Sequence, residues 1–153
     1  MHPSAAPLRL SLVLASGLLS GLASLAVLPG AAAAEEEAKT FVLDVSETTA
    51  KVAKGERGTL AVHIRPAEGY KINEKGPLRL SLSAPEAIAL DKQQLGRADA
   101  TGKETSPAFA CGFEGKAAAE APVTIDAMFV VCDTAGTICE MKKEQVQVAV
   151  KVD

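Results

Sequence analysis

The sequence predicts an all-β fold, an antiparallel β-sandwich of about seven strands. Short segments in which apolar and polar side chains alternate recur from residue 41 to the end of the chain. Successive side chains of a strand point to opposite faces, so this alternation gives each strand one face to bury. Turns with glycine and proline separate the segments, and no segment has a convincing helical period. This combination is typical of sandwiches built from short antiparallel strands.

The first 34 residues are predicted to be a signal peptide, outside the fold. Arg9 is followed by an uncharged apolar stretch over residues 10–28, and the alanines at 31–34 suit a signal peptidase. An uncleaved membrane anchor is the alternative, because the apolar stretch is close to the roughly 20 residues that span a bilayer. Residues 35–39 form a charged leader. We expect a periplasmic or otherwise exported protein, without stable membrane insertion after cleavage, in a compartment where disulfides persist.

The folded domain is predicted to span residues 40–153. Its strands should be, in order, 41–45, 59–65, 78–83, 88–90, 109–113, 123–131 and 146–152. Polar connections are predicted over 68–77 and 97–106. The last two strands form a β-hairpin, and Gly136 gives its turn region backbone freedom. The architecture is immunoglobulin-like, without the tryptophan of antibody-type domains.

The composition argues against several classes of function. A formal net charge of −3 disfavours nucleic acid as a partner. The domain has one histidine, His63, on the outward side of a strand, where a solvated surface position is expected. Three cysteines and this histidine lack the spacing of a zinc site, and no glycine-rich phosphate loop is present. We therefore predict neither a metal nor a cofactor.

The cysteines are the remaining candidates for chemistry. Cys132 and Cys139 lie at the two ends of the hairpin turn, where neighbouring strands can bring them within disulfide distance. Such a bond is either a structural staple, contributing roughly 2–3 kcal/mol, or an accessible bond open to a partner's thiolate. Spacing alone favours the staple. Cys111 shares a strand face with Phe109 and Phe113 and is predicted to be a buried free thiol.

The segment AMFVVCDTAGTICE at Ala127–Glu140, with the strand after it, resembles the end of the N-terminal periplasmic domain of the thiol:disulfide interchange protein DsbD family. GYKINEKGPLRLSL at residues 69–82 is similar to that family's segment leading into a strand, and the resemblance covers most of residues 40–153. It implies an immunoglobulin-like sandwich whose Cys132 and Cys139 form a catalytic redox pair. The implied partners are a periplasmic thioredoxin-like protein or a membrane reductant. By position, Phe109 and Phe113 would supply the cap with which this family shields its pair.

The chain departs from the family around the cysteine pair. Six residues separate the two cysteines where the typical member has five, and Glu140-Met141-Lys142 replaces a proline-rich continuation. Two hypotheses follow. The first is thiol–disulfide exchange, an oxidoreductase activity, and the second is a non-catalytic binding module with a structural Cys132–Cys139 disulfide. A reduction potential above about −250 mV would indicate exchange, and one below about −300 mV a structural bond.

Overall fold

The structure, a computed structural model, describes residues 39–153. The strands of this part, numbered in chain order, are β1 (Phe41–Asp44), β2 (Lys51–Val52), β3 (Arg57–Pro66), β4 (Tyr70–Ile72), β5 (Leu78–Ser83), β6 (Ile88–Leu90), β7 (Gln94–Gly96), β8 (Thr101–Lys103), β9 (Ser106–Gly115), β10 (Ala119–Asp133) and β11 (Cys139–Val152). A 3₁₀ turn, Arg97–Asp99, separates β7 from β8. The predicted signal peptide and residues 35–38 of the predicted leader lie outside the described residues. No helix among residues 39–153 is long and apolar enough to cross a membrane.

These strands form two sheets. The first has the order β1-β3-β9-β6, with β8 also paired to β9, and the second has the order β2-β11-β10-β5-β7, with β4 also paired to β10. Pairing is antiparallel except between β2 and β11, which run parallel. Side chains from both sheets build one hydrophobic core, as in other face-to-face sandwiches. The predicted all-β, immunoglobulin-like sandwich is confirmed.

Alternation along the long strands fills this core. The side chains that point inward are Leu60, Val62 and Ile64 on β3, Leu78, Leu80 and Leu82 on β5, Phe109, Cys111 and Phe113 on β9, and Val123, Ile125, Ala127, Phe129 and Val131 on β10. The ring of Phe113 lies directly against the backbone of Gly58, where a Cβ atom would collide with it. Burial of these apolar side chains is the main force that holds the two sheets together.

Each of the seven predicted strands overlaps a strand of the structure, and four additional strands raise the count to eleven. The additional strands are β2, β4, β7 and β8, each of two or three residues. Segments this short cannot show a period of two, and the ladder of a longer neighbour supports each of them. β11 also begins at Cys139, seven residues before the predicted start, because β10 pairs with its polar first half residue by residue.

Candidate functional site at the hairpin tip

The register of the β10–β11 hairpin brings the two cysteines together. Cys132 and Cys139 are the last directly opposed pair of the ladder, with their Cα atoms 4.0 Å apart and their sulfurs bonded at 2.01 Å. The amide of Asp133 donates to the carbonyl of Ile138 at 2.9 Å, so the cysteines occupy the adjacent non-hydrogen-bonded position. Side chains approach most closely at such positions. The predicted Cys132–Cys139 disulfide is therefore confirmed.

The turn beyond the disulfide is fixed by its own hydrogen bonds. Oδ1 of Asp133 accepts from the amides of Thr137 at 2.6 Å and Ile138 at 3.3 Å. The amide of Gly136 donates to the carbonyl of Asp133 at 2.9 Å, and Gly136 has a φ of 75°, a conformation that favours glycine. We call residues 132–141, which contain the disulfide and this turn, the hairpin tip.

The two cysteines differ sharply in their exposure to solvent. Odd-numbered residues of β10 point into the core, so Cys132 points to the outer face of the sheet. Cys132 does not belong to the core cluster, but it is only 1 % exposed. Cys139, in contrast, is exposed. On the other side of Cys132, Lys71 of β4 lies directly opposite. Residue exposure therefore favours the Cys139 side of the bond over the Cys132 side for the approach of a solvent-borne thiolate.

A side-chain amide points at both sulfurs. Nδ2 of Asn73 lies 3.3 Å from Sγ of Cys132 and 3.9 Å from Sγ of Cys139. Oδ1 of the same amide accepts from the backbone amides of Lys75 at 2.8 Å and Gly76 at 2.9 Å. These two donors require the oxygen on their side, so the NH₂ group must face the sulfurs. Sequence reasoning missed Asn73, and its only signal was an Asn-x-x-Gly turn after a Tyr-Lys-Ile segment.

The loop that carries Asn73 is held from two directions. The amide of Asn73 donates to the carbonyl of Val130 on β10 at 2.8 Å. The guanidinium of Arg97 donates to the carbonyls of Asn73 at 2.8 Å and Gly76 at 2.9 Å. Charge-assisted hydrogen bonds of this kind are among the stronger polar contacts in proteins. The donor that faces the disulfide is therefore anchored to β10 and to the 3₁₀ turn.

Exposed apolar side chains gather at this end of the molecule. The large hydrophobic residues most exposed in the described part are Val42, Tyr70, Ile138 and Met141. Three of these four lie at the tip or beside it. Tyr70 is the ladder partner of Asp133, Ile138 is 67 % exposed in the turn, and Met141 is 56 % exposed two residues after Cys139.

The predicted aromatic cap over the pair is wrong. Phe109 and Phe113 are 2 % and 0 % exposed and belong to the core cluster, which does not include Cys132. Both point inward from β9 because they occupy the core-facing phase of that strand. Cys111, which shares this phase, is a buried free thiol as predicted. Its sulfur lies 3.4 Å from the carbonyl oxygen of Lys92.

His63 is half-buried and hydrogen-bonded, which corrects the expectation of a solvated histidine. Its Nε2 lies 3.2 Å from Oγ of Ser106, and this hydroxyl donates to the carbonyl of Ile64 at 3.2 Å. Because the single hydroxyl proton goes to Ile64, the imidazole is the donor in its contact with Ser106. The neighbouring carboxylate of Asp44 pairs with Arg65. This arrangement joins β3 to β9 and does not activate Ser106 as a nucleophile.

One open groove lies on the second sheet and another lies between an edge of each sheet, and neither contains the disulfide. One, of about 400 Å³, lies over the outer face between Arg79, Asp126, Met128 and Lys143. The other, of about 680 Å³, lies between the edge strands β1 and β11. Within residues 39–153, no group of three or more histidine, cysteine or acidic side chains is placed to hold a metal ion.

Comparison with known proteins leaves the family open. No protein-family model matches the chain, and no curated protein matches it. Among solved structures, a cohesin module from a Clostridium perfringens ATCC13124 family 33 glycoside hydrolase matches with a TM-score of 0.39 and 11 % identity, over 74 % of this chain and 96 % of that chain. The CooA pilin subunit from enterotoxigenic Escherichia coli matches with a TM-score of 0.31 and 9 % identity, over 75 % and 99 %. Similarity at this level does not bear on function, and the resemblance to the DsbD family stays a prediction.

Proposed function

We propose that the protein is an exported, non-catalytic β-sandwich that binds a partner protein through its hairpin tip. The observation that carries this proposal is the exposure of Tyr70, Ile138 and Met141 around one disulfide-closed turn. A single exposed apolar side chain is ordinary on a protein surface, but several at one end of a domain are typical of interaction sites. By the ladder register Met141 shares the sheet face of the disulfide and Tyr70 shares that of Asp133, so the two faces of the tip both carry an exposed apolar side chain. Aromatic residues and methionine are also enriched in protein interfaces.

The tip suits recognition because its backbone is fixed before a partner arrives. The disulfide closes the turn, and Asp133 and Gly136 make the hydrogen bonds that hold it. Little conformational entropy is then lost when a partner immobilises the turn, so more of the contact energy contributes to affinity. In this function the Cys132–Cys139 bond is a structural staple.

Substitutions at the tip test the proposal against a matched exposed residue of the other sheet, Val42, which lines the groove between β1 and β11. Ile138→Asp and Met141→Lys introduce charge into the apolar surface, while Val42→Lys makes the same kind of change on β1 of the other sheet. Val42 and Met141 are both 56 % exposed, so the control matches Met141 in accessibility. The immobilised mature protein is incubated with the exported protein fraction of the producing cell. Bound proteins are then identified by mass spectrometry.

The expected result is one protein that the wild type and Val42→Lys retain and that both tip variants lose at least tenfold. Replacing a central apolar contact by a charge at an interface costs about 1.4 kcal/mol or more, which is a factor of ten in affinity. Equal capture by all four proteins, or equal loss in Val42→Lys and the tip variants, would remove the tip as a binding surface.

Thiol–disulfide exchange, which the DsbD resemblance implies, is the second candidate function. It is favoured by the exposure of Cys139 beside a buried Cys132, because labile disulfides have an accessible sulfur. A partner thiolate would attack Cys139, and Cys132→Ala should then trap a mixed disulfide through Cys139 with a periplasmic thioredoxin-like protein or a membrane reductant. A reduction potential above about −250 mV supports exchange, and one below about −300 mV supports the staple.

A further inference from the structure

The Cys132–Cys139 disulfide has a built-in hydrogen-bond donor, and its position gives the bond a preferred direction of opening. We propose that Asn73 stabilises the sulfur of Cys132 as a thiolate when an external thiol opens the disulfide at Cys139. The inference goes beyond the binding function and does not depend on it, since it concerns the chemistry of the bond with any thiol.

The more accessible cysteine determines where an external thiol opens the disulfide. Cys139 is the exposed residue of the pair, so the thiolate of an external dithiol such as dithiothreitol attacks its Sγ and forms a mixed disulfide there. The bond between the two protein sulfurs breaks, and its electron pair leaves on Sγ of Cys132. The second thiol of the reagent, deprotonated, then displaces Cys139. Two electrons and two protons pass in total from the dithiol to the protein, and the reagent is left as a disulfide.

The side-chain amide of Asn73 lies closer to the sulfur of Cys132, the leaving group, than to that of Cys139. Nδ2 of Asn73 is 3.3 Å from Sγ of Cys132 and 3.9 Å from Sγ of Cys139, so it is nearer to the buried sulfur, which water cannot solvate well. A hydrogen bond to the charged form of a group favours that form. The amide cannot turn its oxygen toward the sulfur, because the amides of Lys75 and Gly76 hold that oxygen.

Charged and titratable groups lie on the elements next to the pair, and the test must separate them from the amide. They are Tyr70 and Lys71 on β4, Glu74 and Lys75 in the following loop, Arg97 on the 3₁₀ turn, Asp133 before the hairpin turn and Glu140 on β11. Oδ1 of Asp133 is engaged by two turn amides, and Glu140 is paired with Lys142. Asn73 is distinguished from all of these by its direct contact with the sulfur.

Two substitutions remove the donor and keep an oxygen for the turn. Asn73→Asp preserves the acceptor for Lys75 and Gly76 but adds a negative charge, while Asn73→Ser offers a shorter oxygen and adds none. Lys75→Gln is the matched control, because it also lowers the local charge by one and leaves the amide of Asn73 in place. Circular dichroism and the thermal midpoint of each oxidised variant establish that the sandwich is folded.

The first readout is the pH titration of Cys132 in a Cys139→Ala background, followed by the ¹³Cβ chemical shift. This measurement needs no reagent to reach the buried residue, and it resolves Cys132 from Cys111. The midpoint of the Cys132 profile should move upward by about one pH unit in Asn73→Asp and about half a unit in Asn73→Ser. It should move less in Lys75→Gln than in either.

The second readout is the rate at which dithiothreitol reduces the intact disulfide. Asn73→Asp and Asn73→Ser should slow this reduction roughly three- to tenfold. Without the donor the thiolate of Cys132 is less stable, so it is a poorer leaving group. If Asn73→Asp and Lys75→Gln shift the Cys132 titration midpoint equally while Asn73→Ser leaves it unchanged, the effect is one of charge and the proposal is overturned. Unchanged midpoints and rates in folded Asn73 variants overturn it as well. Loss of partner capture at the tip, by contrast, would not affect either readout.

Discussion

The inner face and the tip of the β10–β11 hairpin belong to one continuous ladder but are stabilised in different ways. On the inner face, Val123, Ile125 and Val150 are 0 % exposed and pack against the opposite sheet. At the tip, the residues from Thr134 to Met141 are all exposed, and hydrogen bonds and one covalent bond hold them. Because core packing does not determine the tip, its side chains are free to serve recognition or chemistry without loss of the fold.

The edge position of β11 explains why its first half is polar. β2 pairs with β11 only at Lys151 and Val152, so in the described part the stretch Cys139–Val150 has β10 as its one ladder neighbour. Exposed strand edges invite pairing with other chains, and natural proteins place charges on them to prevent it. The charged residues at this edge are Glu140, Lys142, Lys143 and Glu144. They protect the edge while the tip stays open to a specific partner.

The largest expected effect is on the inner face. Phe129 is 0 % exposed, and its ring contacts that of Phe41 edge to face with centroids 4.8 Å apart, joining the two sheets. We expect Phe129→Ala to lower the free energy of unfolding by about 3–5 kcal/mol, because it leaves a cavity in a packed core. Met141→Ala, the matched change at the tip, should alter it by less than about 0.5 kcal/mol. Urea unfolding followed by circular dichroism measures both, and comparable losses would contradict the division between inner face and tip.

The disulfide should have an intermediate effect. The double variant Cys132→Ala/Cys139→Ala should remain a folded sandwich and lose about 2–3 kcal/mol of unfolding free energy, the entropy of closing a short loop. Reduction of the wild type with dithiothreitol should lower the stability by a similar amount, which provides an internal control. An unfolded double variant would mean that the tip supports the core. A loss below about 0.5 kcal/mol would mean that the turn is ordered without its staple.

Alternation was sufficient to predict the sandwich and the cysteine pair. Apolar residues alternate with polar ones wherever one face of a strand meets the core, so the pattern is visible in the sequence. Examples are Leu60, Val62 and Ile64 on β3, and Val123 and Ile125 on β10. The disulfide followed from the hairpin because directly opposed residues beside a short turn need no long-range information. Cys111 was predicted to be buried from the two phenylalanines on its strand face, which are themselves in the core.

The surroundings of the disulfide could not be predicted in the same way. Asn73 reaches the sulfurs through the pairing of β4 with β10, and β4 is too short to have a recognisable period. Arg97 reaches the same loop from a 3₁₀ turn far along the chain, so only the three-dimensional structure relates the two. The phenylalanine cap failed because position along the chain says nothing about the outer face of the other sheet, where Cys132 lies.

The smallest expected effect concerns an exposed ion pair near the 3₁₀ turn, away from both regions of the hairpin. Hydrogen bonds from the ammonium of Lys92 and then from the amide of Gly96 lower the pKa of Asp99 below its ordinary value. The same contact with Asp99 raises the pKa of Lys92. An acid whose pKa is lowered in the folded state adds stability above its unfolded pKa of about 3.9, and this contribution is lost as the pH falls through the folded value.

Asp99→Asn should therefore be less stable than the wild type at pH 6.5, and the difference should disappear in acid. Exposed ion pairs contribute little because solvent screens them, so we expect a smaller loss than for the disulfide variant. Urea unfolding at pH 6.5 and at pH 2.5, in low and in high salt, measures the difference. A gap between wild type and variant that persists unchanged at pH 2.5 would show that Asp99 acts through the shape of the turn and not through its charge. The reduction rate of the disulfide should be unaltered in this variant, because Arg97 holds the Asn73 loop through its own hydrogen bonds to the carbonyls of Asn73 and Gly76.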